Sequence, residues 1–338
     1  MSEGHNFVSE ELQGAGRRIS ANSLECEAKE KNKCRVYREI LQSFDQSHVR
    51  TEALDDLKTK ILSYTPGRWV ENSRGMKSSN YNVPETTTLL LVGPKGCGKS
   101  SLVNRISKVF EKGKFASERA QVSYNLLVGD GTYFLQEYMV PRDSSSVCLY
   151  DTRGLSDNTS ENIEMLKQLM TKGVRNGGLI LRPSDSASLI KRMKCKARQS
   201  GCRSREKRKV NFVIFVINGL EILKAMETNC ERGTKYTQMI ATTFNCPYLS
   251  FKDDKPIVVV THGDLISLAD RARIRVHLGD LLGVPPATQV FDIPESYDPA
   301  TELAIAEMLV YALEHADKHM PLSRRGSLSE QVSYPIHA

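Results

Sequence analysis

Thr87 to Phe110 reads T-T-L-L-L-V-G-P-K-G-C-G-K-S-S-L-V-N-R-I-S-K-V-F. The apolar run Leu89 to Val92 is short enough for a buried strand. Gly93 to Ser100 then follows the pattern G-x-x-x-x-G-K-S. Behind it Leu102, Ile106 and Phe110 recur every four residues with Val103 alongside, which predicts a helix with one apolar face. Strand, glycine-rich loop and helix, in that order, make a phosphate-binding loop. Gly93, Gly96 and Gly98 let the backbone turn its N–H groups inward around anionic oxygens. The following helix adds the positive end of its dipole. The expected cradle is Gly93, Pro94, Lys95, Gly96, Cys97, Gly98, Lys99, Ser100 and Ser101. Lys99 is placed to reach the β- and γ-phosphates, and Ser100 to ligate Mg2+.

Outward from this stretch, short apolar runs alternate with helical periodicity. Tyr133 to Val140, Ser146 to Asp151, Asn211 to Ile217, Pro256 to Val260 and Gln289 to Ile293 read as strands; Gln121 to Val128 is open between strand and ordered loop, before the turn Gly129-Asp130-Gly131. Asp157 to Gly173, Tyr236 to Phe244, Asp270 to Leu282 and Pro299 to His319 read as helices. Such alternation predicts an α/β fold, a mostly parallel sheet with helices on both faces. Two further helices are expected upstream, Leu24 to Phe44 and Ser47 to Tyr64, the second stopped by Thr65-Pro66-Gly67. The expected organisation is an unstructured start over 1–24, a helical extension and linker over 25–85, a nucleotide-binding domain over 86–320 and a polar tail over 321–338.

The chain has 338 residues, 40% of them hydrophobic and 26% charged, the composition of an ordinary globular protein. No apolar run is long enough to cross a bilayer. The first residues lack the apolar core of a secretory signal, and their acidic groups speak against a transit peptide, so a cytoplasmic protein is expected. Eight scattered cysteines, one inside the phosphate loop, suit reduced thiols. Cys195 and Cys202 have no neighbouring Cys or His pair to complete a zinc site. The net charge of +7 is local: Lys191 to Lys209 carries ten Lys/Arg against one Glu, a net +9, leaving the rest at −2. This block closes an interval, Gly177 to Lys209, that reads as an irregular basic insert, and such a block is either a solvated loop or a contact for anionic membrane or nucleic acid. The absence of aromatic residues in it disfavours stacking on single strands. In the tail, R-R-G-S-L places Ser327 for a basophilic kinase.

Two more motifs belong with the phosphate loop. The strand S-V-C-L-Y-D runs into D-T-R-G, Asp151 to Gly154, 52 residues after Lys99. A carboxylate at that strand end is where Mg2+ needs an anchor, and Gly154 can bring its N–H to a γ-phosphate without a Cβ in the way. Next, P-I-V-V-V ends in Thr261, His262, Gly263 and Asp264, at the strand edge where ligands sit. The Asp264 carboxylate can accept two hydrogen bonds from guanine N1 and N2, a donor pair adenine lacks. His262 is placed to lie along the base.

Together, G-P-K-G-C-G-K-S, D-T-R-G and T-H-G-D resemble the first, third and fourth motifs of the Ras-like, translation-factor-related P-loop GTPases. His262 stands where that family has a lysine in N/T-K-x-D. The T-H-G-D variant resembles the AIG-type immunity-associated GTPases. The phosphate-loop neighbourhood and the long region before the base motif are similar to the interferon-induced, microtubular-aggregate protein family. The resemblance covers about Thr86 to His319 and implies a GTP/GDP-binding protein that uses Mg2+, a nucleotide-dependent switch or assembly factor. It implies a switch threonine on Mg2+, Thr132 or alternatively Ser123, and a base loop with Ser296 near guanine O6. Lys99, Thr132 and Gly154 would then be the catalytic set. Leu155 replaces the water-orienting glutamine of efficient members, which implies slow hydrolysis. Arg153 is an arginine finger or, as a bland alternative, a solvent-facing side chain. The resemblance also implies a GTP-dependent homodimer. A nucleotide-binding scaffold without turnover and an ATP-binding P-loop protein are the alternatives.

Overall fold

The computed structural model describes residues 7–47, 51–70, 78–111, 118–120, 132–199, 206–228, 231–251 and 254–323. The expected segment Gln121 to Val128, its following turn, Ser123, Cys202 and Ser327 lie outside them.

Among the described residues six strands form one sheet: β1 (Thr87–Val92), β2 (Gln136–Met139), β3 (Val147–Asp151), β4 (Phe212–Asn218), β5 (Ile257–Thr261) and β6 (Val290–Asp292). Their order is β2-β3-β1-β4-β5-β6. β2 is antiparallel to β3 and every other pair is parallel. β1, β3 and β5 are buried along their whole length, and β4 up to its last residue, as runs such as F-V-I-F-V-I require when both sheet faces are covered. The expected α/β class, with its mostly parallel sheet and covering helices, is observed.

The helices are α1 (Phe7–Ser47), α2 (Thr51–Leu62), α3 (Lys99–Phe110), α4 (Thr159–Lys172), α5 (Ala187–Gln199), α6 (Gly219–Glu227), α7 (Glu231–Phe244), α8 (Leu268–Leu282) and α9 (Pro299–Lys318). Capping explains several starts: the side chains of Asn158, Asn218, Ser267 and Asp298 accept the N–H of Glu161, Leu220, Asp270 and Thr301. α8 ends at Gly283 in the left-handed region, as αL caps do.

Four boundaries differ from the sequence reading. α1 runs back to Phe7, into residues expected to lack structure; polar composition argues against burial, not against helical hydrogen bonding. α5 occupies part of the interval 177–209 that was expected to be irregular, because Ile190, Met193 and Ala197 recur at helical spacing among the basic residues, the latter two buried. α6 lies directly after β4, capped by Asn218. Residues 321–323, expected in the tail, pair with the linker: Asn82 N donates to Pro321 O and Ser323 N to Asn80 O, both at 2.8 Å.

The upstream helices pack on the sheet domain. Lys58 and Lys60 on α2 pair with Glu302 and Glu314 on α9, each at 2.7 Å. Beneath them Asp317, fully buried, accepts from Tyr64 Oη (2.6 Å), Gly67 N (3.1 Å) and Trp69 N (2.9 Å). Tyr64 Oη also lies 2.8 Å from Thr87 Oγ1 at the start of β1, so the extension is tied to the central strand.

Candidate nucleotide site

Parallel pairing of β3, β1, β4 and β5 brings their carboxyl ends to one edge of the sheet. The phosphate loop, D-T-R-G and T-H-G-D leave that edge together.

The loop closes through glycine. Gly96 and Gly98 have φ of 78° and 85°, a region other residues enter only at a cost, and Gly98 caps α3. Lys99 opens α3 and is buried; its Nζ donates to the carbonyls of Gly93 and Pro94, both at 3.1 Å. The ammonium therefore sits over the loop whose N–H groups it would share with an anion. Cys97 is buried, and burial pushes its thiol pKa up, so it is a packing group rather than a nucleophile.

Asp151 ends β3 and is 1% exposed. Ser100 Oγ donates to its Oδ2 at 2.6 Å, while Oδ1 has no hydrogen-bond partner among the described residues. Burial pushes the Asp151 pKa up; Lys99, Ser100 and Thr132 act in the opposite direction. Thr132 therefore lies beside the carboxylate. A buried carboxylate oxygen without a donor is costly. A divalent cation would satisfy it, and the all-oxygen set of Ser100, Asp151 and Thr132 suits Mg2+ rather than a thiophilic metal.

Gly154 rests on the phosphate loop so closely that a Cβ there would lie 2.6 Å from Lys95 Cα. Leu155 N donates to Gly93 O at 2.9 Å and Lys95 N to Leu155 O at 3.2 Å. Leu155 itself is buried in the core. Arg153 is not solvent-facing. Its guanidinium pairs with Asp185, with a 2.6 Å bond to Oδ2, and lies over the Tyr133 ring at 4.6 Å. Arg182 donates to Gly154 O at 2.6 Å. Nothing in the sequence singled out Arg182 or Asp185, since each meets its partner across about thirty residues of intervening chain.

Thr261 Oγ1 lies 2.9 Å from Cys97 O and 3.1 Å from Ile217 O, which links the third motif to the phosphate loop. His262 has φ 61°, the left-handed conformation among the described non-glycine residues. Asp264 is exposed, and its Oδ1 accepts from Glu295 N at 2.9 Å. Gly98, Ser101, Arg105, Thr261, His262 and Glu295 help line a cleft of about 30 Å³, room for one water and not for a purine. Arg105 on α3 donates to the carbonyls of Ile293 (3.2 Å) and Pro294, holding the loop after β6 inward. Ser296, expected near the base, gives its hydroxyl to Asp298, the cap of α9. Arg105 and the Glu295 N–H bond to Asp264 thus hold the loop 293–296 against the third motif.

No known family profile matches the chain. Among solved structures it is similar to one described as the crystal structure of a probable GTP-binding protein engB, at 14% identity over 67% of this chain and 98% of that chain, with a TM-score of 0.34. Among the described residues, no helix is long and apolar enough to cross a membrane.

Proposed function

We propose that the chain binds a guanine nucleotide with Mg2+ and works as a slow GTPase, a nucleotide-dependent switch or assembly factor of the cytoplasm. One observation carries the reading: Ser100 hydrogen-bonds Asp151 at the mouth of a glycine-turned loop while Asp151 Oδ1, buried, has no partner among the described residues. In this reading the loop amides from Lys95 to Ser101 bind the phosphates and Lys99 neutralises the β/γ oxygens. Ser100, Asp151 and Thr132 would hold Mg2+, which when bound would neutralise phosphate charge. Gly154 would direct its N–H at the γ-phosphate. Asp264 would accept from the guanine edge, His262 would lie along the ring and Ser296 would stand near O6.

Competition binding tests the base assignment. GTP is expected to displace a fluorescent guanine nucleotide at least about tenfold better than ATP, and Asp264→Asn to erase that difference, one lost carboxylate bond being worth about 1.5–3 kcal/mol. An unchanged preference in the variant would sink it. A second reading, a nucleotide-binding scaffold without turnover, is favoured by Leu155, whose buried side chain cannot orient water. Single-turnover hydrolysis of bound GTP separates the two.

The GTP-dependent homodimer belongs to the same proposal. A cleft of about 1410 Å³ beside Lys95, Gly96 and Leu155, walled by α6 and α7, offers a face for it. An equal light-scattering mass with GDP and with a non-hydrolysable GTP analogue would count against dimerisation. The Lys191 to Lys209 block, partly on α5, is the proposed contact for anionic membrane or nucleic acid. Loss of retention on anionic vesicles or duplex DNA at low salt would remove it.

A further inference from the structure

Residues 177–186 form a strap across both loops that border the phosphate site. On one side it pairs with the chain after Thr132: Leu135 N donates to Gly178 O, Gly177 N to Leu135 O and Ile180 N to Tyr133 O, each at 2.8 Å. On the other side it grips D-T-R-G. Arg153 donates to Ile180 O at 3.2 Å and forms the two-pronged pair with Asp185. Arg182, 7% exposed, donates to Gly154 O at 2.6 Å, and its own N–H binds Asp185 Oδ2 at 2.7 Å. Its Nε is buried without a partner. Asp185 therefore receives both the Arg153 guanidinium and the Arg182 backbone N–H, while the Arg182 guanidinium reaches Gly154 O and, at 3.4 Å, Asn162 Oδ1.

The gripped turn is in turn pressed on the phosphate loop. The Lys95 amide, one of those a terminal phosphate would use, is engaged by Leu155 O, and Gly154 leaves no space above Lys95.

We propose that this two-arginine clasp makes the site discriminate by phosphate number. The inference rests on the nucleotide reading above. A diphosphate is held with the clasp shut. A third phosphate has to take the Lys95 amide from Leu155 and draw Gly154 away from Arg182, so the clasp bonds count against the triphosphate alone. Asp185 is the keystone: it binds the Arg153 guanidinium and pins the Arg182 backbone, so without its charge both grips on the turn loosen. The strap continues directly into α5, so opening the clasp also frees the base of the basic helix.

Titration of the full chain with fluorescent GDP and a non-hydrolysable GTP analogue tests the clasp. In Asp185→Asn the analogue is expected to bind about tenfold more tightly, within the usual range of coupling between sites, with GDP affinity unchanged within about twofold. Arg182→Lys, which keeps the charge but loses the guanidinium donor to Gly154 O, is expected to move the same ratio in the same direction. In the unmutated chain, amide hydrogens of residues 177–186 are expected to exchange faster with the analogue than with GDP. Nucleotide binding with an unaltered ratio in both variants, or identical exchange with both nucleotides, overturns the clasp and leaves the nucleotide reading standing. Failure of the unmutated chain to bind either nucleotide overturns that reading and the clasp with it.

Discussion

Lys99 shows how one side chain serves two states. Buried over the loop, its ammonium bonds, among the described residues, to the carbonyls of Gly93 and Pro94 and to Cys97 Sγ, and its charge also offsets the burial of the Asp151 carboxylate. Phosphate oxygens offer the same ammonium a negative partner, and such charge-assisted bonds are worth about 1.5–3 kcal/mol. Lys99→Ala is therefore expected to weaken guanine-nucleotide binding roughly 10- to 100-fold by calorimetry, and to lower the unfolding midpoint as well because the buried Asp151 loses its cation. Unaltered affinity would remove the phosphate loop from the site. His262 is the other residue whose role is legible in its backbone. A left-handed non-glycine conformation costs on the order of 1 kcal/mol and persists where neighbouring structure over-determines it; here Thr261 Oγ1 stands 2.9 Å from the His262 ring.

At the level of elements, α9 holds the upstream helices to the sheet. Its Asp317 is fully buried and accepts from one hydroxyl and two backbone N–H groups. Burial pushes its pKa up, while the donors from Tyr64, Trp69 and Gly67 pull the other way. Removing the carboxyl strands the buried Gly67 N–H and the half-buried Trp69 N–H, while Tyr64 Oη keeps Thr87, each stranded donor costing about 1–3 kcal/mol and not additive. Asp317→Ala is expected to lower unfolding free energy by about 3 kcal/mol in urea, and Asp317→Asn, which keeps one acceptor oxygen, by about half of that. A loss under about 1 kcal/mol in the alanine variant would mean that water replaces the carboxylate. A surface pair such as Lys60–Glu314, with both side chains more than 40% exposed, contributes little by comparison.

Across the whole molecule, the C-terminal end of α9 is locked to the entry of β5 by a single carboxylate. Asp254 Oδ2 receives His315 Nδ1 (2.7 Å), Lys318 Nζ (2.9 Å) and His319 Nε2 (2.6 Å). Burial alone would push the Asp254 pKa up, but hydrogen bonds from Lys318, His319 and His315 outweigh it and hold the group well below the usual carboxylate range. A depressed carboxyl stabilises the fold fully above about pH 4 and loses that contribution as the pH falls further. Burial holds His319 below the ordinary imidazole range, against the pull of Asp254. The unfolded chain then takes up that proton first, so acid favours unfolding below about pH 6.5. The thermal midpoint is expected to decline gently from pH 6.5 and steeply below pH 4, by about the ordinary titration points of the two groups. Asp254→Asn should make the steeper limb shallower, Asp185 and Asp298 keeping their own shares of it; a variant as acid-sensitive as the parent would refute the assignment.

What the chain dictated by itself was local: the β1–loop–α3 unit, the runs of β3, β4 and β5, and the Lys99, Ser100 and Asp151 positions. Glycine punctuation, four-residue periodicity and unbroken apolar runs are short-range signals. Strand order, and with it the meeting of Asp151, Thr132 and Thr261 at one edge, came only from packing. So did the burial of Arg153 against Asp185, the approach of Arg182 to Gly154 and the diversion of Ser296 to Asp298. A charged side chain reads as solvent-facing until a partner from a distant segment is brought to it, and no local pattern records which segment that is. Helix α5 was obscured for the opposite reason: its few apolar residues were outnumbered by basic ones, and only contact with the domain shows which face is covered.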